Sequence, residues 1–347
     1  MSRMKTDYAK EVVTVCAASV LWGEEAFQRL GPVIVVPDAE IGPAHLRDAD
    51  LLAIRSKTPV TRQLVVGSRL RWVGTATAGY DHLDEAALAE QGICWTAAPG
   101  CNANSVAEYF TCALLRLATR LGWCLKGMTL GVVGVGQVGQ RVARKAECLG
   151  MRVLRNDPPL ARQTGDPCYR PLAELQEQAD MLTFHVPLTF EGEDPTYHLV
   201  DEHFLAGLKP RCVICNAARG EVADSTALMK ARMSGVISHL VLDVWEPEPD
   251  YPLALLEAAD LATPHIAGYS FDGKYKGTRQ IYEAACQFLG HPPDWPPPAL
   301  PLPAQPVLEL SPGGAPLEDV LWGVCRQAYD IEQDDAALRA TAVAETA

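Results

Sequence analysis

No apolar run in this sequence approaches the ~20 consecutive residues that a membrane-spanning helix needs. The opening residues, MSRMKTDYAKEVVTV, are interrupted by Lys5, Asp7, Lys10 and Glu11, so no secretory signal is expected. Positive charge is scarce: 30 Lys and Arg stand against 43 Asp and Glu, a formal net charge of -13. Such a surface repels phosphate backbones and anionic lipid, which excludes nucleic acid and membranes as expected partners. A disulfide framework is also missing. The eleven cysteines are an odd number scattered through apolar segments, as reduced thiols in a cytoplasmic protein would be. Cys212 and Cys215 form a C-x-x-C, but within RCVICNA, a strand-like run in which positions three apart face opposite sides. No metal or redox role is expected of them.

What remains is an ordinary globular composition, 48% hydrophobic and 21% charged over 347 residues, enough for two domains. Strand-like runs alternate with helical spacing. VVTVCA (12–17), VIVVP (33–37), LLAIRS (51–56) and RWVGTATAG (71–79) are separated by EEAFQRL (24–30) and similar segments. A long helix is predicted over 104–121, with Asn104 or Ser105 as N-cap and Glu108 completing a capping box. A second series follows at 129–136, 151–157, 181–187, 212–217, 238–245 and 261–266. Strands alternating with helices predict parallel sheets covered on both faces. After Gly290 the chain turns proline-dense, then offers one helix over 317–333 and an end, AALRATAVAETA, with little to pack.

GVVGVGQVGQRVARKAECLGMRVLRNDPP (131–159) is the most informative stretch. An apolar strand leads into Gly134, Gly136 and Gly139 at G-x-G-x-x-G spacing, then a helix, then a strand ending in Asp157. The first glycine permits a tight turn, the second admits a pyrophosphate, and the third lets helix and strand pack closely. The helix N-terminus offers unpaired N–H groups to the phosphates. Asp157 stands where an acid meets the adenosine ribose hydroxyls and repels a 2′-phosphate, so NAD is favoured over NADP. Arg155 and Arg162, close by, temper that preference.

In open α/β sheets ligands bind beyond the carboxyl ends of the strands. There NAARGE carries Arg219, DVWEPEP carries Glu246 and Glu248, and TPHIAG carries His265. A histidine suits removal of a hydroxyl proton as hydride leaves, a carboxylate orients the ring, and an arginine fork grips a substrate carboxylate. Either glutamate precedes a proline and fits the carboxylate's part.

On these motifs the sequence resembles the D-isomer-specific 2-hydroxyacid dehydrogenase family, with its Gly-rich turn, N-x-x-R-G arginine, D-V-x-x-x-E-P acid and P-H-I-A-G histidine. Counted from Asp243, the acid falls on Glu248. VGTATAGYDHLD (73–84), APGCNANSVAEY (98–109), LTFHVPLT (182–189) and TPHIAGYSFDGKYKGT (263–278) are similar to the branch acting on a phosphorylated hydroxy acid. The resemblance implies Arg219, Glu248 and His265 as catalytic residues. It implies NAD contacts at Gln137, Val138, Asp157, Val186, Ala217, Ala218, Arg219, Asp243 and Gly268, and substrate contacts at Ser56, Thr77 and Tyr269. Arg55 and Lys57 flank Ser56, and strand alternation would point both the same way, which suggests a phosphate site.

The expected architecture is therefore two Rossmann-like, doubly wound parallel-sheet domains with a cleft between them and a short C-terminal extension. Residues 1–103 and 270–290 would form the substrate domain and 104–269 the NAD domain. Residues 291–347 would be a Pro-rich linker and a shortened dimerisation-type segment of a homodimer. Related activities on phosphoglycerate or glycerate, and a non-catalytic NAD-sensing role, share these motifs and stay open at this stage.

Overall fold

The structure is a computed structural model. It describes residues 11–346 apart from 297, 300–302, 304–305 and 310–312. The chain falls into two compact units. One holds the residues up to Asn102 and the segment from Ser270, and the other holds Ala103–Tyr269 with the C-terminal helices.

The first unit is built on five parallel strands: β1 (Thr14–Ala17), β2 (Val33–Val36), β3 (Leu51–Ile54), β4 (Trp72–Thr75) and β5 (Cys94–Thr96). Their order is β2-β1-β3-β4-β5. β1, β3 and β4 are buried throughout, which is why they read as unbroken apolar runs. Phe27, Trp72 and Tyr282 fill the core, with Tyr282 supplied by the helix Phe271–Leu289. The predicted strands stop earlier in the structure. β3 ends at Ile54, so Arg55, Ser56 and Lys57 lie in the turn beyond it, and strand alternation does not relate Arg55 to Lys57.

The second unit has six parallel strands: β6 (Thr129–Val133), β7 (Arg152–Asn156), β8 (Met181–Phe184), β9 (Cys212–Asn216), β10 (Ile237–Leu242) and β11 (Leu261–Ala262). The order β11-β10-β9-β8-β6-β7 reverses direction at β6, so the carboxyl ends of β6 and β8 form the topological switch point. Helix Ala103–Leu121 covers one face with twelve buried residues. It begins one residue before Asn104, so neither Asn104 nor Ser105 caps it. The Asn104 amide instead donates to Glu108 at 2.7 Å.

The C-terminus differs from its sequence reading. The helix predicted over 317–333 is two, Leu317–Ala328 and Ile331–Thr346. Both are packed on the second unit. The Glu318 carboxylate accepts from Leu125 N–H at 2.8 Å, Asp335 from Ala262 N–H at 2.8 Å, and Arg339 donates to the carbonyls of Leu256 and Ala259. Trp322, Ile331 and Leu338 are buried. Sparse apolar content hid this because the helix is held largely through polar side chains.

Candidate active site

The turn after β6 is shaped by close approaches. Gly134 has φ 83°, and a Cβ on Gly139 would stand 1.9 Å from the Gly134 carbonyl oxygen. Gly136 faces open space, with nothing within 4 Å of where its Cβ would be. Helix Gly139–Cys148 follows, burying Gly139, Val142, Ala143 and Ala146 in a helical stripe and leaving its N-terminus at the turn. Gln137 is exposed at the tip, and Val138 is the N-cap. Val186, just beyond β8, crowds Gly134.

Asp157 ends β7. One of its oxygens accepts from Val135 N–H at 2.8 Å and the other caps helix Pro158–Thr164 through Leu160 N–H at 3.0 Å. The carboxylate is thus fixed against the glycine turn with lone pairs to spare. The two neighbouring cations are engaged elsewhere, Arg155 with Glu147 at 2.5 Å and Arg162 with Glu193 and Asp194. An open notch at a helix N-terminus beside a fixed acid fits a dinucleotide with an unphosphorylated ribose.

The strands β9, β10 and β11 deliver the acid–base groups. Past β9, Ala217 and Ala218 lead to Arg219. Asn216 braces that turn, accepting from Ala218 N–H at 3.1 Å and donating to the Arg219 carbonyl at 2.8 Å. Past β10, the Glu248 carboxylate accepts from Trp245 N–H at 2.9 Å and meets His265 Nδ1 at 2.8 Å. Glu246 does not reach His265. It pairs with His198, so the structure gives different partners to the two glutamates that the following proline alone did not tell apart.

His265 sits at φ 57°, a left-handed conformation that costs about 1–3 kcal/mol away from glycine. The buried Asp243 holds it there. Its carbonyl accepts from His265 N–H at 2.6 Å, and its carboxylate accepts from Ile266 N–H at 2.8 Å, Ala267 N–H at 2.9 Å and the Thr263 hydroxyl at 2.6 Å. Tyr109 completes the chain against Thr263 at 2.6 Å. Gly268 and the exposed Tyr269 follow directly.

The charges are tuned to one another. The Glu248 hydrogen bond raises the His265 pKa against burial, and the charges of Glu248 and Asp243 add to it while Arg219 opposes. Burial pushes Glu248 up, but the His265 bond and charge, Trp245 N–H and Arg219 outweigh it and leave the carboxyl below its usual range. Burial pushes Asp243 up to about 6 despite its hydrogen bonds. With Nδ1 engaged by Glu248, Nε2 is the nitrogen left to take a proton.

In the first unit, Arg55, Ser56 and Lys57 follow β3, and Thr77 follows β4. Thr77 donates to the Gly79 carbonyl at 2.8 Å and is 2.7 Å from the Thr75 hydroxyl, which in turn meets His82 Nε2 at 2.9 Å. His82 and His198 were not singled out by sequence. Their partners are set by folding, and a histidine 48 residues from its glutamate leaves no spacing signal.

A dinucleotide turn on a doubly wound sheet, with histidine, carboxylate and arginine at neighbouring strand ends, defines a nicotinamide-dependent dehydrogenase of hydroxy acids. The family model for "D-isomer specific 2-hydroxyacid dehydrogenase, NAD binding domain" matches residues 113–267. The chain is 47% identical to an erythronate-4-phosphate dehydrogenase of Edwardsiella ictaluri, over 93% of this chain and 86% of that one. It is 44% identical to one of Klebsiella pneumoniae, over 92% and 85%. Among solved structures, D-lactate dehydrogenase of Aquifex aeolicus, complexed with NAD and lactic acid, superposes with TM-score 0.66 at 28% identity, covering 80% of this chain and 95% of that one. The chain belongs to the D-isomer specific 2-hydroxyacid dehydrogenase family and is an NAD-dependent enzyme of that family.

Proposed function

We propose that the protein oxidises 4-phospho-D-erythronate to the corresponding 2-oxo acid, 3-hydroxy-2-oxo-4-phosphooxybutanoate, in vitamin B6 biosynthesis. The observation that carries the reading is the 2.8 Å pairing of His265 Nδ1 with Glu248 beyond β10 and β11, in a chain 44–47% identical to erythronate-4-phosphate dehydrogenases. Bound NAD would supply the acceptor for the C2 hydride. His265 Nε2 takes the C2 hydroxyl proton, and Glu248 stabilises the imidazolium that results. Arg219 grips the substrate carboxylate and polarises the forming carbonyl. Gly134, Gly136 and Gly139 would cradle the pyrophosphate, and Asp157 would bind the adenosine ribose. Gln137, Val138, Val186, Ala217, Ala218, Asp243 and Gly268 would line the rest of the cofactor's course. Ser56, Thr77 and Tyr269 bind substrate, and Arg55 and Lys57 answer its phosphate charge. Family resemblance supports a homodimer and a cytoplasmic setting.

The test is NADH formation with 4-phospho-D-erythronate, 3-phosphoglycerate and unphosphorylated erythronate side by side, with a 2-oxo acid added in parallel to reoxidise retained cofactor. Turnover confined to 4-phosphoerythronate is expected. Preference for 3-phosphoglycerate would keep the mechanism and overturn the substrate.

A further inference from the structure

The pairing of His198 with Glu246 is not used by the mechanism above. His198 lies between β8 and β9 at φ 49°, left-handed backbone in a residue other than glycine. Its N–H donates to the Glu221 carbonyl at 2.8 Å, and Val200 N–H donates to the Val222 carbonyl at 3.0 Å. The segment is therefore bonded to the short turn Gly220–Val222 that follows Arg219 directly. The ring reaches the other way. Nε2 stands 2.8 and 3.0 Å from the two Glu246 carboxylate oxygens, and the ring stacks on Tyr197 with centroids 4.0 Å apart and planes within 13°. The Glu246 carbonyl also accepts from the Ser225 hydroxyl at 3.1 Å. A Cβ on Gly220 would fall 1.7 Å from the Trp245 carbonyl oxygen, so the Arg219 turn and the Trp245–Glu248 loop touch backbone to backbone. His198 thus joins the turn that carries Arg219 to the loop that carries Glu248.

We propose that His198 is a positioning residue for the His265–Glu248 pair: with Glu246 it clamps the Asp243–Glu248 loop against the Arg219 turn and so fixes the direction from which Glu248 meets His265. The inference rests on the reading of His265 as the base. His198 touches no reacting atom in this scheme. Glu248 is two residues from Glu246, and its carboxylate accepts from Trp245 N–H and meets His265, so a slack loop would let it swing away. The charged groups acting on His265 are Glu248, Asp243 and Arg219. Glu246 faces the His198 ring.

The experiment compares His198→Ala and Glu246→Ala, which break the clamp from either side, with His198→Gln, whose amide can still donate to Glu246. Each is made in the parent chain and with Glu248→Gln. Two readouts are taken: kcat and KM, and the ring titration of His265 by NMR, assigned through its loss in His265→Gln. Breaking the clamp is expected to lower kcat on the order of ten- to a hundred-fold, as a misplaced catalytic group does, with KM little changed. The His265 midpoint should fall toward its value in Glu248→Gln, and His198→Gln should restore most of both. With Glu248→Gln already present, His198→Ala should add almost nothing. An unchanged His265 midpoint in a folded variant, or an equal further fall in kcat in the Glu248→Gln background, would overturn the proposal. If the parent chain turned over none of the substrates, the functional reading would fail, while the His265 midpoint would still decide the clamp.

Discussion

At the scale of single residues, the chemistry rests on His265 being neutral before it takes a proton and charged after. Its raised pKa places the acid limb of kcat/KM above the ordinary histidine value of about 6.5, because the neutral fraction grows only as pH passes the pKa. Replacing Glu248 by Gln removes the chief cause of that rise. The limb is then expected to move to lower pH while the plateau falls, since the imidazolium loses its partner. A limb that stayed in place would contradict the assignment of Glu248. The pair and its arginine were legible as residue types at strand ends. Their mutual geometry was not: the following proline could not tell Glu246 from Glu248, the family motif counted from Asp243 chose Glu248, and the fold sends one to His198 and the other to His265. Asp243 shows the same limit. The family resemblance marks it as a cofactor contact, yet its carboxylate also carries the backbone of the turn that follows His265.

At the scale of elements, the glycine turn separates a packing role from a binding role. Gly139→Ala would push a Cβ into the Gly134 carbonyl and should destabilise the second unit outright. Gly136→Ala meets nothing in the protein, so its melting temperature should match the parent. Its NADH affinity, read by fluorescence titration, should fall on the order of ten-fold, about 1.4 kcal/mol, because the added methyl occupies the pyrophosphate's approach. Equal affinity in the two proteins would show that the notch is not where the phosphates lie. Asp157 joins both roles. Asp157→Ala should narrow the preference for NAD over NADP in steady-state assays and cost about 1 kcal/mol through loss of the helix cap. Most strands were readable because burial on both faces leaves continuous apolar runs, as in β3, β6 and β9. Their ends were overrun, since the apolar character of residues 134–136 continues into a turn whose conformation is set by glycine. β5 was missed, being three residues long and only partly buried.

At the scale of the whole chain, the two sheets were visible as two series of alternating segments, and of the two C-terminal helices only the first was, within a single helix read over 317–333. Trp322 is the clearest measure of their docking. It is 4% exposed and packs into the core layer beneath helix Ala103–Leu121. Trp322→Ala should cost about 3–5 kcal/mol in denaturant unfolding, the range for emptying a buried aromatic site. A loss near zero would mean that the helix is not docked in solution. Sequence reasoning underrated this end because Glu318, Asp335 and Arg339 anchor it through backbone groups, which no hydrophobic pattern records.

The central claim is that His265 removes the substrate proton as hydride leaves for NAD. Its most direct test is NADH formation from 4-phospho-D-erythronate by the parent protein and by His265→Ala, each first shown to bind NADH equally. The expected result is turnover in the parent and a fall on the order of a hundred- to ten-thousand-fold in the variant, with cofactor affinity unchanged. Undiminished turnover in His265→Ala would contradict the account.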